Sequence, residues 1–153
     1  MTIELDEIDH RILRVLQKDA SVSMDALSES VALSRNACWR RVKLLEEAGV
    51  IGQRVAVLDA AKVGLPLQAI VLIRTNDHSA AWSKRFVDAV RAMPEVQGAY
   101  RTTGELDYAL RVRVRDVADY DRFYQRLIAK VDVADVSASF VMDAIKETTE
   151  LPI

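Results

Sequence analysis

The sequence predicts an α+β protein in two parts: three short helices, then four strands and two helices in the order β-α-β-β-α-β. Two changes of pattern carry this expectation. Up to about residue 58 the apolar residues recur at three- and four-residue intervals, whereas from Leu67 strand-like alternation takes turns with helical spacing. Between them "DAAKVGLP", residues 59–66, holds Gly64 and Pro66 and fits neither period, so it reads as a joint. The expected domains are therefore 1–58, a linker over 59–66, and 67–153.

The first helix is expected in "LDEIDHRILRVLQKDA", where Leu5, Ile8, Ile12, Val15 and Leu16 share a face, Asp6 is an N-cap, and Glu7 and Asp9 suit a first turn. Ser23 caps a second helix carrying Met24, Leu27 and Val31. After the short joint "ALS", Ser34 caps a third helix, and Gly49 ends it as the residue just past the helix end. The following "VIGQRVAVLD" alternates like a short strand or hairpin.

The third helix carries the strongest functional signal. "LSRNACWRRVKLLEEAGVI" holds four cations, Arg35, Arg40, Arg41 and Lys43, with no acid from Ser34 to Leu45, although the whole chain has a net charge of −2. Cys38, Val42 and Leu45 fall on one buried stripe, which turns Arg35, Asn36, Trp39, Arg40 and Lys43 outward. A solvated helix face usually mixes charge signs; this one does not until Glu46. Three short helices with a tight joint before the basic one, followed by a strand-like segment, make a winged helix-turn-helix, and the expected partner is double-stranded DNA. Arginine and asparagine can reach base edges, and the cations meet phosphates. Cys38 lies in the apolar stripe with no histidine near it in sequence, so it is expected to pack as a small hydrophobe; a redox-sensing thiol is the alternative.

The second half begins with "LQAIVLIRT", a strand apolar on both faces. "SAAWSKRFVDAVRAM" is an amphipathic helix with Trp82, Phe86 and Val90 in line, stopped before Pro94. "VQGAYRTT" and "YALRVRVR" are strands joined by the turn "GELD"; in the second, Tyr108, Leu110, Val112 and Val114 oppose Arg111, Arg113 and Arg115. "DVADYDRFYQRLIAKV" is a helix, and "VSASFVMDAIK" a final strand. This is a ferredoxin-like half-sandwich, with two helices on one face of an antiparallel sheet. The open face is expected to meet a second copy of the chain, because Ile70 and Leu72 there are apolar, with Arg111 and Arg113 paired to acids within or across the dimer. RNA binding on that face is disfavoured, since the central strands lack stacking aromatics.

Other classes find little support. One cysteine and two distant histidines offer no disulfide and no metal site, and no cofactor motif or catalytic constellation is visible, so an enzyme is not expected. An acidic start with no apolar core is no signal peptide, and no apolar run reaches the roughly 20 residues of a membrane span, so a soluble cytoplasmic protein is expected.

In this order, "LDEIDHRIL", "LSRNACWRRVKLLEEAGVI", "TTGELDYALRV" and "IKETTELPI" resemble the Lrp/AsnC (feast/famine) transcription regulators over nearly the whole chain. The resemblance implies a winged helix-turn-helix that contacts DNA through Ser34, Arg35, Asn36, Trp39, Arg40 and Lys43, and a second domain that binds a small amino acid. It also implies homodimers that assemble into tetramers or octamers, with the effector against the "TGELD" turn and the last strand. Within the family the chain is similar to the cysteine-responsive activators that switch on cysteine-degrading genes, through Cys38-Trp39, "LIRTNDHSAAW" and "SFVMDAIKETTELPI". Leucine-type and asparagine-type regulators are the alternatives. Arg35 and Asn36 stand where the family pattern has small or proline residues, so the family's DNA target does not carry over.

The turn has chemistry suited to such a ligand. Gly104 allows positive φ and exposed backbone amides, Thr103 adds a hydroxyl, and Asp107 is an acceptor for an ammonium group. Ser137 and Ser139, on one face of the last strand, can add hydroxyls. The competing reading is a plain hairpin in which Asp107 satisfies its own turn.

Overall fold

The computed structural model describes residues 4–153. By their contacts these form two units, one of residues up to Val57 together with Lys146–Ile153, the other Leu58–Ile145.

In the first unit, α1 (Glu7–Leu16) begins at a capping box: the Asp6 side chain accepts from the Ile8 and Asp9 amides, and the Asp6 amide donates to Asp9 Oδ2. α2 (Met24–Ser30) is capped by Ser23, and α3 (Arg35–Glu47) by Ser34, each hydroxyl accepting the amide three residues on. Ala32 takes a left-handed φ of 56° in the joint between α2 and α3, which turns the chain sharply there. Gly49 takes φ 73° just past α3, the conformation that makes glycine the helix terminator. The core joins Ile12, Leu13 and Leu16 of α1, Leu27 and Val31, and Cys38, Val42 and Leu45 of α3, with Leu5, Ile8, Val15 and Met24 packed at its margin.

The expected wing strand does not form. Residues 52–59 lie outside any strand, and Val55, Val57 and Leu58 are exposed. Alternation marks a segment able to pair, but a strand exists only where a neighbouring strand takes its backbone groups, and the described residues supply none there.

The second unit has β1 (Leu67–Arg74), α4 (Ala80–Arg91), β2 (Val96–Arg101), β3 (Tyr108–Val114), α5 (Val117–Ile128) and β4 (Asp135–Phe140). All pairings are antiparallel in the order β2-β3-β1-β4. Ala69, Val71 and Ile73 of β1 and Tyr108, Leu110, Val112 and Val114 of β3 face the helices and are buried with Trp82, Phe86, Phe123 and Leu127. Trp82 stacks on Phe86 with ring centroids 5.2 Å apart, and its indole nitrogen donates to the Asp132 carbonyl at 2.6 Å. Register places Gln68, Ile70 and Leu72 on the other, open face, beside Arg113, Arg111 and Ala109 of β3 and Ser139 and Ser137 of β4. Arg113 reaches the Pro66 carbonyl at 3.5 Å.

Two boundaries differ from the sequence expectation. β4 ends at Phe140 rather than running on through Lys146, and Met142 and Ile145 are fully exposed. The segment 146–153 groups with the first unit, because its partners are on α1.

Candidate DNA-reading helix and ligand turn

On α3 the Ser34 hydroxyl is committed to the Ala37 amide, which fixes the helix start and the direction of the residues after it. Arg35, Asn36, Trp39, Arg40 and Lys43 are all exposed, while Cys38, Val42 and Leu45 are buried. Arg40 has no ion-pair partner among the described residues. Arg35 pairs with Asp25 at 2.8 Å and Lys43 with Glu47 at 3.7 Å, all four side chains being more than half exposed. Exposed pairs contribute little, so either cation can exchange its carboxylate for a phosphate at small cost. Lys43 also lies 5.3 Å from the centre of the Trp39 ring, which is half exposed.

Arg41 belongs to the same cluster of cations in sequence but does a different job. Its Nη1 donates to Asp6 Oδ2 and Asp9 Oδ1, both at 2.8 Å, clamping the middle of α3 to the start of α1. The Asp9 amide, donating to Asp6, is the main influence holding the Asp6 carboxyl below its ordinary range, and Arg41 adds to it. A carboxylate lowered on folding contributes stability that is complete above the ordinary carboxylate range and lost as the pH falls below it. This clamp is therefore expected to weaken only in acid. No sequence signal separates Arg41 from its neighbours except its phase on the helix.

Cys38 is fully buried, and burial pushes its thiol pKa up, away from the thiolate that redox chemistry needs. Replacing Cys38 by valine is expected to leave DNA affinity unchanged and alter stability by less than about 1.5 kcal/mol. A thiol reagent should not react with the folded protein. Loss of DNA binding on mild oxidation, prevented by Cys38→Val, would contradict this.

The residues expected at the ligand turn lie toward one end of the sheet. Gly104 takes φ 120°, with nothing within 4 Å of where a Cβ would project. Thr103 is exposed beside it. The turn is tied together by the Thr102 amide donating to the Asp107 carbonyl (2.8 Å) and the Thr102 hydroxyl donating to the Leu106 carbonyl (2.6 Å). Asp107 has two tasks. Its Oδ2 accepts the Thr75 amide at 2.8 Å, pinning the end of β1 to the turn, while Oδ1 faces His78 Nδ1 at 3.9 Å. Ser137 sits across from Leu72 and Ser139 across from Ile70, so β1 separates both serines from the β2–β3 turn, and Ser139 is the farther along the strand from that end. Thr75, buried at 4% exposure, and His78 were not legible as neighbours of the turn, since nothing in sequence links residues 75–78 to Asp107.

A helix-turn-helix whose third helix carries outward Arg35, Asn36, Trp39, Arg40 and Lys43 with no acid before Glu46, joined to a ferredoxin-like sheet domain with a glycine turn at one end, has the layout of a DNA-binding protein with a second, ligand-sized domain. Comparison with known proteins agrees. Residues 5–51 match the winged helix-turn-helix DNA-binding model, and residues 68–151 match the Lrp/AsnC ligand binding domain. The DNA-binding transcriptional activator DecR of Escherichia coli strain K12 is 49% identical over 150 residues, covering 97% of this chain and 99% of its own. The glutamate uptake regulatory protein of Zymomonas mobilis is 45% identical, over 100% of this chain and 93% of its own. A crystal structure of an AsnC family regulator from Agrobacterium tumefaciens superposes with a TM-score of 0.94 at 49% identity, over 97% of both chains. The regulator NMB0573 from Neisseria meningitidis, solved as a complex with L-Met, superposes at 0.93 with 38% identity, again over 97% of both. The chain belongs to the Lrp/AsnC family: it is a DNA-binding transcriptional regulator with an amino-acid-binding domain. No helix among the described residues is long and apolar enough to cross a membrane.

Proposed function

We propose that the regulator reads DNA with Arg35 and Asn36, held by the Ser34 cap at the start of α3, and grips phosphates with Arg40 and Lys43 beside Trp39. Its affinity is set by a small amino acid bound at Thr103, Gly104 and Asp107, with Ser137 and Ser139 of β4 reached across β1. The observation that supports the DNA reading most is the outward face of α3: five polar, basic or aromatic side chains, with Arg40 unneutralised among the described residues. Lys43→Ala is expected to weaken binding to all DNA sequences alike and to lower the salt slope by about one. Asn36→Ala is expected to reduce discrimination at one base position by about 1–3 kcal/mol. Equal losses on specific and random DNA for both variants would overturn this division of labour.

For the effector, cysteine is the first candidate. The "LIRTNDHSAAW" stretch, one of the segments that resemble the cysteine-responsive activators, supplies Thr75 and His78, which adjoin Asp107. Methionine, glutamate, leucine and asparagine follow, the first two on the names of the relatives above. Calorimetric titration of this panel decides among them. The exposed Ile70, with Leu72 and Tyr100 on the open face of the sheet, supports a face-to-face homodimer as the unit from which tetramers or octamers assemble. Sedimentation of the full chain reads that state directly.

A further inference from the structure

The closing motif "IKETTELPI" lies apart from the outward face of α3 and the β2–β3 turn, yet its last residues make contacts 134 and 139 positions away in sequence. Gln17, the C-cap residue of α1, offers its side-chain amide to a single residue of the motif. Its Nε2 donates to the Leu151 carbonyl at 3.0 Å, and its Oε1 accepts the Leu151 amide at 2.9 Å. A primary amide used in this way imitates the pairing that a neighbouring strand would provide. Three residues earlier on the same face, Arg14 donates from Nε to the Ile153 carbonyl at 2.8 Å, while its Nη1 holds Glu7.

The motif is built to present those backbone groups. Pro152 restricts Leu151 to extended conformations, which splays its amide and carbonyl outward. The Ile153 amide then closes back onto the Leu151 carbonyl at 2.9 Å, a tight turn with proline at its centre. The Leu151 side chain is itself 67% exposed, so recognition is through backbone and not through the leucine.

α1 is held at its other end by the Arg41 clamp from α3. One ten-residue helix, a rod about 15 Å long, thus has the recognition helix bound to its first turn and the closing segment bound to its last. The chain leaves the DNA-reading unit after Val57 and re-enters it at Lys146, shortly after β4, the strand carrying Ser137 and Ser139.

We propose that the outer face of α1 at Arg14 and Gln17 is a docking site for the Leu151–Ile153 backbone, and that its occupation by this segment of the chain itself supports the recognition helix through α1. The ligand-binding domain thereby has a second covalent line, besides the 59–66 joint, to the element that reads DNA. The proposal rests on the DNA-reading role of α3.

The test uses the full chain and the genomic DNA fragment that the parent protein binds most tightly. In Gln17→Ala, hydrogen exchange at the Leu151 amide is expected to accelerate about tenfold or more, as two hydrogen bonds are lost. DNA affinity should fall by at least about twofold, the low end of couplings carried through packed elements. Leu151→Ala should change neither, because the recognised groups are backbone. A chain ending at Thr149 should lose DNA affinity as Gln17→Ala does. An unreactive Cys38 thiol in each variant shows that the three-helix core is intact. Unchanged exchange in Gln17→Ala would show that the amide does not hold the segment. Accelerated exchange with parental DNA affinity would show a docked segment that does nothing for α3. Either result overturns the proposal.

Discussion

Asp107→Asn is expected to weaken amino-acid binding roughly tenfold to a hundredfold while leaving the unliganded protein's DNA affinity nearly intact. A carboxylate that accepts from an ammonium group makes a charge-assisted bond, and such bonds contribute on the order of 1.5–3 kcal/mol, which sets that range of affinity. Asparagine is the informative substitution because Asp107 also accepts the Thr75 amide. The amide oxygen can keep that structural bond, whereas alanine would remove it along with the charge. Gly104→Val should damage the same site by another route. At φ 120° a β-branched residue is strained even though the space beside it is open, so the turn itself must change. Titration calorimetry on both variants, with circular dichroism to confirm the fold, checks the pair. Parental affinity in Asp107→Asn would remove Asp107 from the site.

The largest effect on stability is expected at Trp82. This side chain is 1% exposed, stacks on Phe86, lies 5.8 Å from the Tyr108 ring and donates to the Asp132 carbonyl. Trp82→Ala removes all of these at once, and truncating a buried aromatic costs about 3–5 kcal/mol. The left-over carbonyl acceptor adds to the loss if water cannot reach it. Denaturant unfolding followed through the second unit should show a lower midpoint. The three-helix unit has its own core and should unfold separately from this change. A Trp82→Ala protein with the parental midpoint would mean that the stacked aromatic cluster does not anchor α4 to the sheet.

The helices and most strands were legible because each is written locally. Asp6, Ser23, Ser34 and Ser79 all cap the helices that follow them, and the alternation in Tyr108–Val114 reappears as alternating burial. What was not legible depends on partners far away in sequence. The wing looked like a strand because Val55 and Val57 alternate, but alternation states only a readiness to pair. The end of β4 was overrun because "FVMDAI" is apolar enough for a strand, although Val141, which donates to Gln68, is the last residue whose amide meets β1. Arg41 was counted with the basic cluster, and its commitment to Asp6 and Asp9 emerges only when α1 and α3 pack. At the ligand turn, the glycine and the carboxylate were visible, but the Thr75 amide that shares the carboxylate was not.

We propose one coupled system: the chain reads DNA through α3, and an amino acid at the β2–β3 turn changes how tightly it does so. The most direct measurement is binding of the full-length protein to fragments of its own genome at two salt concentrations, with and without each amino acid of the panel. A subset of fragments is expected to be bound, with affinity that falls steeply with salt and that one amino acid shifts. By linkage, that amino acid binds with a correspondingly changed affinity when DNA is present, and in Asp107→Asn the shift requires roughly tenfold to a hundredfold more of it. Fragment binding that ignores every amino acid, or a shift that survives intact in Asp107→Asn, would contradict the coupling.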